Sequence, residues 1–363
     1  NINNWNVSSV TNMWGMFYGA TNFNQSLNNW DVSSVKNMRW MFQGASNFNQ
    51  NLSNWNVSNV ENMESMFWDA TSFNGNISNW DVSSVTDMRW TFERATNFNQ
   101  PLNNWNVSNV IGMSFLFERA TNFNQPLNNW DVSSVTEMRS MFYVATSFNQ
   151  SLNNWDVSNV IDMYSMFWGA TNFNQSLNNW DVSSVTTMTN MFRGATNFNQ
   201  PLNNWNVSNV GNMGKMFRGA TSFNQPLNNW NVSSVTNMAL MFSGVKLSTS
   251  NYDSLLDGWA SLPNLQSDVP FDAGDSQYCL GEDSRSVLNS TPNNWIITDD
   301  GKDSSCIDPT TRFISIWNTS KTSPDSSDIT SVKLPLEDGG IYDFIVDWGD
   351  GNTTTIYPFT VPP

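Results

Sequence analysis

Histidine is absent from this 363-residue chain, and lysine and arginine together number 15 against 31 acids. Without histidine the commonest general base and metal ligand is missing, and neither a nucleophile–base pair nor a metal-ligand cluster stands out. Isolated acids are the only material for a glycosidase-like pair, and nothing places two of them in a cleft, so catalysis is not expected. The net charge of −16 argues against a nucleic-acid partner, which needs a basic face to displace counterions. No apolar run approaches the roughly 20 residues that span a bilayer as a helix. Cysteine occurs only as Cys279 and Cys306, in an acidic, turn-rich segment. Such a pair fits one disulfide and an oxidising compartment.

What is abundant is repetition. Tryptophan stands at 5, 30, 55, 80, 105, 130, 155, 180, 205 and 230, an unbroken spacing of 25 residues. A period of that size points to a solenoid, because one copy cannot bury its own apolar face. In the second copy Trp30 and Val32 alternate with Asp31, which predicts a half-buried strand. Met38, Met41, Phe42 and Ala45 stand at i, i+3, i+4 and i+7, which predicts a short helix after the capping candidates Ser33 and Ser34. Glycine recurs near the end of that segment (Gly19, Gly44, Gly169, Gly194, Gly219, Gly244), but Arg94 and Val144 fill the same place. A β-branched valine is a poor left-handed residue, so the helix is expected to run on to the alanine. The expected fold is an α/β solenoid, with ten coils over residues 1–245 forming a parallel strand ladder plus short helices.

The pattern L-x-x-W-x-V-x-x-V-x-x-M-x-x-M-F-x-x-A-x-x-F-N-Q resembles the repeat of BspA-like leucine-rich-repeat surface proteins. It is most similar to the 25-residue version of mycoplasma-type lipoproteins and marine bacterial surface proteins. The resemblance implies a right-handed leucine-rich-repeat-like array at the cell surface, often adhesive, with no catalytic residues to carry over. Thr91, Leu116 and Ile77 depart from it without breaking the pattern.

Beyond Val245 the template lapses. Tyr252, Leu255, Leu256 and Trp259 form a helical face, residues 269–273 read as a strand, 284–288 as a helix, and Asn293-Asn294-Trp295 restates the repeat. Residues 246–308 are therefore expected to be degenerate capping coils that cover the last repeat. Residues 309–363 change again: Val332, Leu334 and Leu336 alternate, as do Tyr342, Phe344, Val346 and Trp348. The stretch from Asp347 to Asn352 resembles the turn of polycystic-kidney-disease-type immunoglobulin-like modules. This segment is expected to be the start of an incomplete all-β sandwich, since such a fold takes about 100 residues. The chain begins inside a repeat without a signal peptide, and is expected to be part of something longer.

Function should lie where the copies differ. One column, on the expected exposed helix face, holds Trp14, Arg39, Glu64, Arg89, Ser114, Arg139 and Tyr164. Beside it stand Trp40, Trp90 and Phe115, and a third column holds Tyr18, Trp68, Tyr143 and Trp168. The candidate binding surface is Trp14, Tyr18, Trp40, Trp68, Trp90, Tyr143, Tyr164 and Trp168, since exposed aromatics mark contact surfaces. The competing reading is local packing, with Trp90–Arg94 and Phe115–Arg119 as cation–π pairs and Arg89–Glu93 as an ion pair at helical spacing. In the uniform Asn/Asp column, Asp131, Asp156 and Asp181 are consecutive and form a candidate calcium row. Carboxylates about 5 Å apart should raise at least one pKa unless a cation intervenes; the competing reading is an open surface on which solvent and local hydrogen bonds screen them. No other cofactor is expected. The overall expectation is a non-catalytic extracellular protein at the cell surface. It would mediate adhesion or recognition of other proteins or surface glycans, or else self-assemble with its own copies into a fibre, sheath or surface layer.

Overall fold

The computed structural model describes residues 2–306 and the backbone of two further strands, 341–347 and 353–360. Residues 1–304 form one compact unit and 305–363 a second.

The ten copies stack as a solenoid with parallel contacts between neighbours, but a coil contains neither the expected helix nor the expected strand. Each coil is a succession of β-turns. In the second copy the amides of Val35, Met41, Gln43, Ala45 and Phe48 donate to the carbonyls of Val32, Met38, Trp40, Phe42 and Ala45, each three residues back. The amides between them point along the solenoid: those of Met38, Trp40, Phe42 and Gly44 donate to Asn62, Glu64, Met66 and Trp68 of the next coil. A helix would send every amide to its own fourth-previous carbonyl. Here half of them are needed to tie coil to coil, and that division accounts for the buried backbone groups.

The alternation requires left-handed backbone at two places in every coil. One is the position of Gly19, Gly44 and Gly194, where φ is 64–69°. Val144 occupies it at φ 53° and Arg94 at 58°, so the expectation that valine excludes this conformation is overturned. The chain accepts the strain because neighbouring coils fix the turn, at a cost of about 1–3 kcal/mol for such a residue. The opposite substitutions should therefore have opposite signs. A Cβ on Gly194 would meet only Gly169, at 3.9 Å, so Gly194→Val should lose about 1–2 kcal/mol through φ alone, and Val144→Gly should gain about 0.5–1 kcal/mol. Paired denaturant titrations would check both.

The parallel ladder runs not through Trp-x-Val but through one residue per coil, Asn12, Asn37, Asn62, Asp87, Gly112, Glu137, Asp162, Thr187, Asn212 and Asn237. Trp30, Val32, Val35, Met38, Met41, Phe42, Ala45, Phe48 and Leu52 and their equivalents fill the interior, almost all under 4% exposed. Their rings stack in columns: Phe42–Phe67 at 5.5 Å and Trp55–Trp80 at 6.2 Å, with Phe42–Phe48 at 4.2 Å inside one coil. Each buried indole N–H is matched, as where Trp55 Nε1 donates to Leu27 O at 2.9 Å. Outside, amide side chains form a second ladder: Asn74 Oδ1 accepts from the Asn99 amide at 3.0 Å and from Gln100 Nε2 at 3.0 Å.

The stack continues past the repeats. Helix α1 (Thr249–Ala260), capped by Ser248, buries Tyr252, Leu255, Leu256 and Trp259. Strand β1 (Pro270–Asp272) pairs in parallel with β2 (Ile296–Thr298), with α2 (Glu282–Asn289) between them in sequence. Phe271 bridges Met238 of the last repeat, which covers that repeat's core. Cys279 and Cys306 are joined in a disulfide. In the second unit, β3 (Ile341–Asp347) pairs antiparallel with β4 (Thr353–Thr360). The segment 332–336 and residues 348–352 lie outside the described residues, and no sandwich is shown.

Candidate binding surface

The variable columns lie on the run of turns between the bridge residue and the recurring alanine. The bridge side chain shapes the first of these turns: Asn37 Oδ1 accepts the Arg39 amide at 3.0 Å, and Asp162 Oδ1 that of Tyr164 at 2.7 Å. This aims the next side chains outward and stacks equivalent positions of successive coils.

Contacts on this face therefore run between coils or between near neighbours in one turn, not at helical spacing. Arg39 Nη2 lies 2.9 Å from Glu64 Oε1, and Arg89 Nη2 lies 3.9 Å from Glu64 Oε2. Arg89 turns its fork onto Asp87, at 3.0 and 2.7 Å, rather than onto Glu93. Arg94 pairs with Asp69 of the preceding coil at 3.2 Å. The guanidinium groups of Arg39, Arg89, Arg139 and Arg193 lie over Trp40, Trp90, Tyr164 and Trp168 at 4.1–5.3 Å, and Arg119 over Tyr143 at 5.4 Å. The expected Trp90–Arg94 and Phe115–Arg119 pairs give way to these because no helix brings i and i+4 together.

Of the candidate residues, Trp14 and Tyr18 are 54% and 60% exposed, while Trp40, Trp68, Trp90, Tyr143, Tyr164 and Trp168 are half-buried. Six of the eight gather in three groups: Trp14 and Tyr18 against Trp40, Trp90 stacked on Phe115 at 5.3 Å, and Tyr143 edge-on to Trp168 at 4.9 Å.

The column of Tyr18, Trp68 and Tyr143 also carries Glu93 and Glu118 on adjacent coils, a pair recognisable only once the copies are stacked. Burial, and then the charge of Glu118, pushes the Glu93 carboxyl up to about 7, against the opposing pull of Arg94 and Arg119. Burial likewise raises Glu118. Below about pH 4.5, the ordinary glutamate value, folded and unfolded chains both hold the proton and Glu93 costs nothing. Between about pH 4.5 and about 7 the unfolded chain gives up its proton while the folded chain keeps it, so stability falls across that window and levels off above it. Glu93→Gln should therefore be more stable than the parent by about 1–2 kcal/mol at pH 8, after allowance for solvent screening. The difference should vanish near pH 4, as melting curves across that range would show.

The uniform face behaves otherwise. Asp131, Asp156 and Asp181 each accept the backbone amide of the serine two residues on, at 3.0–3.1 Å. The hydroxyl of Ser158 and then its amide hold the Asp156 carboxyl below its ordinary value. At Asp156, then, local hydrogen bonds outweigh repulsion on an open surface. Among the described residues no three acidic or cysteine side chains gather as metal ligands.

Among the described residues no helix is long and apolar enough to cross a membrane, and the disulfide suggests a non-cytoplasmic setting. No curated protein matches the chain. The family described as "Mycoplasma protein of unknown function, DUF285" matches residues 1–95, 73–171 and 149–255, three overlapping spans that take in the whole repeat array. The chain belongs to this mycoplasma-type DUF285 family of repeat proteins.

Proposed function

We propose that this is a non-catalytic extracellular protein, displayed at a cell surface, that mediates adhesion or recognition through the varied face of its solenoid. One observation carries the reading. The backbone satisfies itself identically in coil after coil, while a single face changes its side chains, and that face carries aromatic rings and guanidinium groups, the residue types enriched at contact surfaces. The resemblance to BspA-like surface proteins, among which adhesive roles are common, points the same way. So does the disulfide, which belongs in an oxidising compartment.

The test is a triple variant, Trp40, Trp68 and Trp90 to serine. Serine already occupies the equivalent positions at Ser65, Ser140 and Ser243, so folding should survive. Immobilised on beads, the variant should lose adhesion to cells and extracellular matrix while its melting temperature stays within a few degrees. Collapse of stability with adhesion intact would reduce these residues to packing. Filaments of the purified chain in electron micrographs would favour self-assembly instead.

A further inference from the structure

Seven residues from four successive coils line a shallow groove on the varied face: Tyr18, Gly19, Gln43, Gly44, Trp68, Asp69 and Arg94. Tyr18, Gln43 and Trp68 hold the same register in the first three coils, so the two rings stand two coil steps apart with an amide between them. Two steps amount to roughly 10 Å, about the length of a disaccharide unit in an extended chain. Gly19 and Gly44 leave the floor without side chains, and a Cβ on Gly19 would meet nothing within 4 Å. At one end Asp69 and Arg94 form an ion pair about half exposed on both sides, which leaves further acceptor and donor positions facing solvent. Gln43 Oε1 is shut off from solvent without a hydrogen-bond partner among the described residues, which leaves the NH2 of that amide as its accessible end.

We propose that this groove binds an extended, neutral polysaccharide, an assignment that rests on the recognition reading above. The C–H faces of pyranose rings suit Tyr18 and Trp68, a hydroxyl suits the NH2 of the Gln43 amide, and vicinal hydroxyls suit the bidentate geometry of a carboxylate and a guanidinium. An open trough fits a chain laid along the surface, whereas a small ligand is usually enclosed. Charge selects a neutral chain. Arg94 is already matched by Asp69, so the groove lining offers a polyanion no uncompensated cation.

Titration of the full chain with the β-1,4-linked hexaoses of glucose and mannose and the β-1,3-linked hexaose of glucose, followed by tryptophan fluorescence, tests this. At least one should bind saturably, and hexagalacturonate should bind more weakly. Trp68→Ser and Tyr18→Ser should each lower affinity about tenfold and Gln43→Leu about fivefold, with unchanged melting temperatures. The serine of Ser243 at this register makes those variants safe for the fold. Failure of all three neutral hexaoses to bind, tighter binding of hexagalacturonate, or wild-type affinity in Trp68→Ser would each overturn the assignment. Adhesion without hexaose binding would overturn the glycan assignment alone and point to a protein partner. Adhesion and hexaose binding are read in separate assays, so failure of the glycan assignment is distinguishable from failure of the recognition reading.

Discussion

Replacing Trp130 with alanine should destabilise the chain by about 4–5 kcal/mol and divide its unfolding into two transitions. Trp130 is 3% exposed and stacks on Trp155 at 6.3 Å with the rings within 2° of parallel. It also contacts Phe117 at 6.3 Å and donates from Nε1 to the Leu102 carbonyl at 2.8 Å. Truncation leaves a cavity the size of an indole, which costs about 3–5 kcal/mol, and removes one of two donors to the Leu102 carbonyl, which keeps the Trp105 amide at 3.0 Å. In a linear stack each coil touches only its neighbours, so a weak coil in the middle uncouples the arrays on either side. Calorimetry should show a first transition well below the parent's. Trp5→Ala is the control: Trp5 is 56% exposed, and its loss should cost under about 1 kcal/mol. Equal losses at the two sites would contradict an additive column of rings.

The interior of this stack was legible residue by residue, because 25-residue repetition repeats every apolar position ten times. Its local conformation was not. Met38, Met41, Phe42 and Ala45 have helical spacing, yet a run of turns also brings i and i+3 together, and the core cannot tell the two apart. The informative residues were the non-apolar ones. Glycine recurring at one register beside the αL-tolerant Asp69, together with Asn190 and the serines at a second register, marked left-handed backbone. Val144 masked the signal. Trp30-Asp31-Val32 misled for a similar reason: Asp31 points outward to accept the Ser33 amide at 3.1 Å, and Val32 opens a turn to Val35 where an extended strand was expected. In the cap, where α1 shows a capping serine and a clean apolar face, helix spacing meant helix. The varied columns of the candidate surface could be read by stacking the copies. What they do to one another could not, since the Arg94–Asp69 pair and the Glu93–Glu118 repulsion exist only between coils.

The second large effect is expected in the cap, from Asp253→Ala. Asp253 lies on α1, is 8% exposed, and accepts three backbone amides: Cys279 at 2.8 Å, Leu280 at 3.0 Å and Gly281 at 2.9 Å. Gly281 is the N-cap of α2 and has no side chain to cap with, so a carboxylate from another helix does that work and meets the positive end of the α2 dipole. A side chain in place of the glycine would have to displace its neighbours, because a Cβ there would stand 2.8 Å from Leu256 Cδ1 and 3.0 Å from Asp253 Oδ1. Alanine at 253 leaves three sheltered amides without an acceptor, a loss of about 3–4 kcal/mol. Asparagine keeps one acceptor oxygen but turns an amide group toward a remaining N–H, and should fall between the two. Hydrogen exchange is the discriminating measurement. In the alanine variant amides 279–281 should exchange much faster, and Met238 and Phe242, which donate to Pro270 and Asp272 of the cap strand, should lose protection with them. Protection retained at Met238 would mean that the cap strand holds the last repeat without help from this carboxylate.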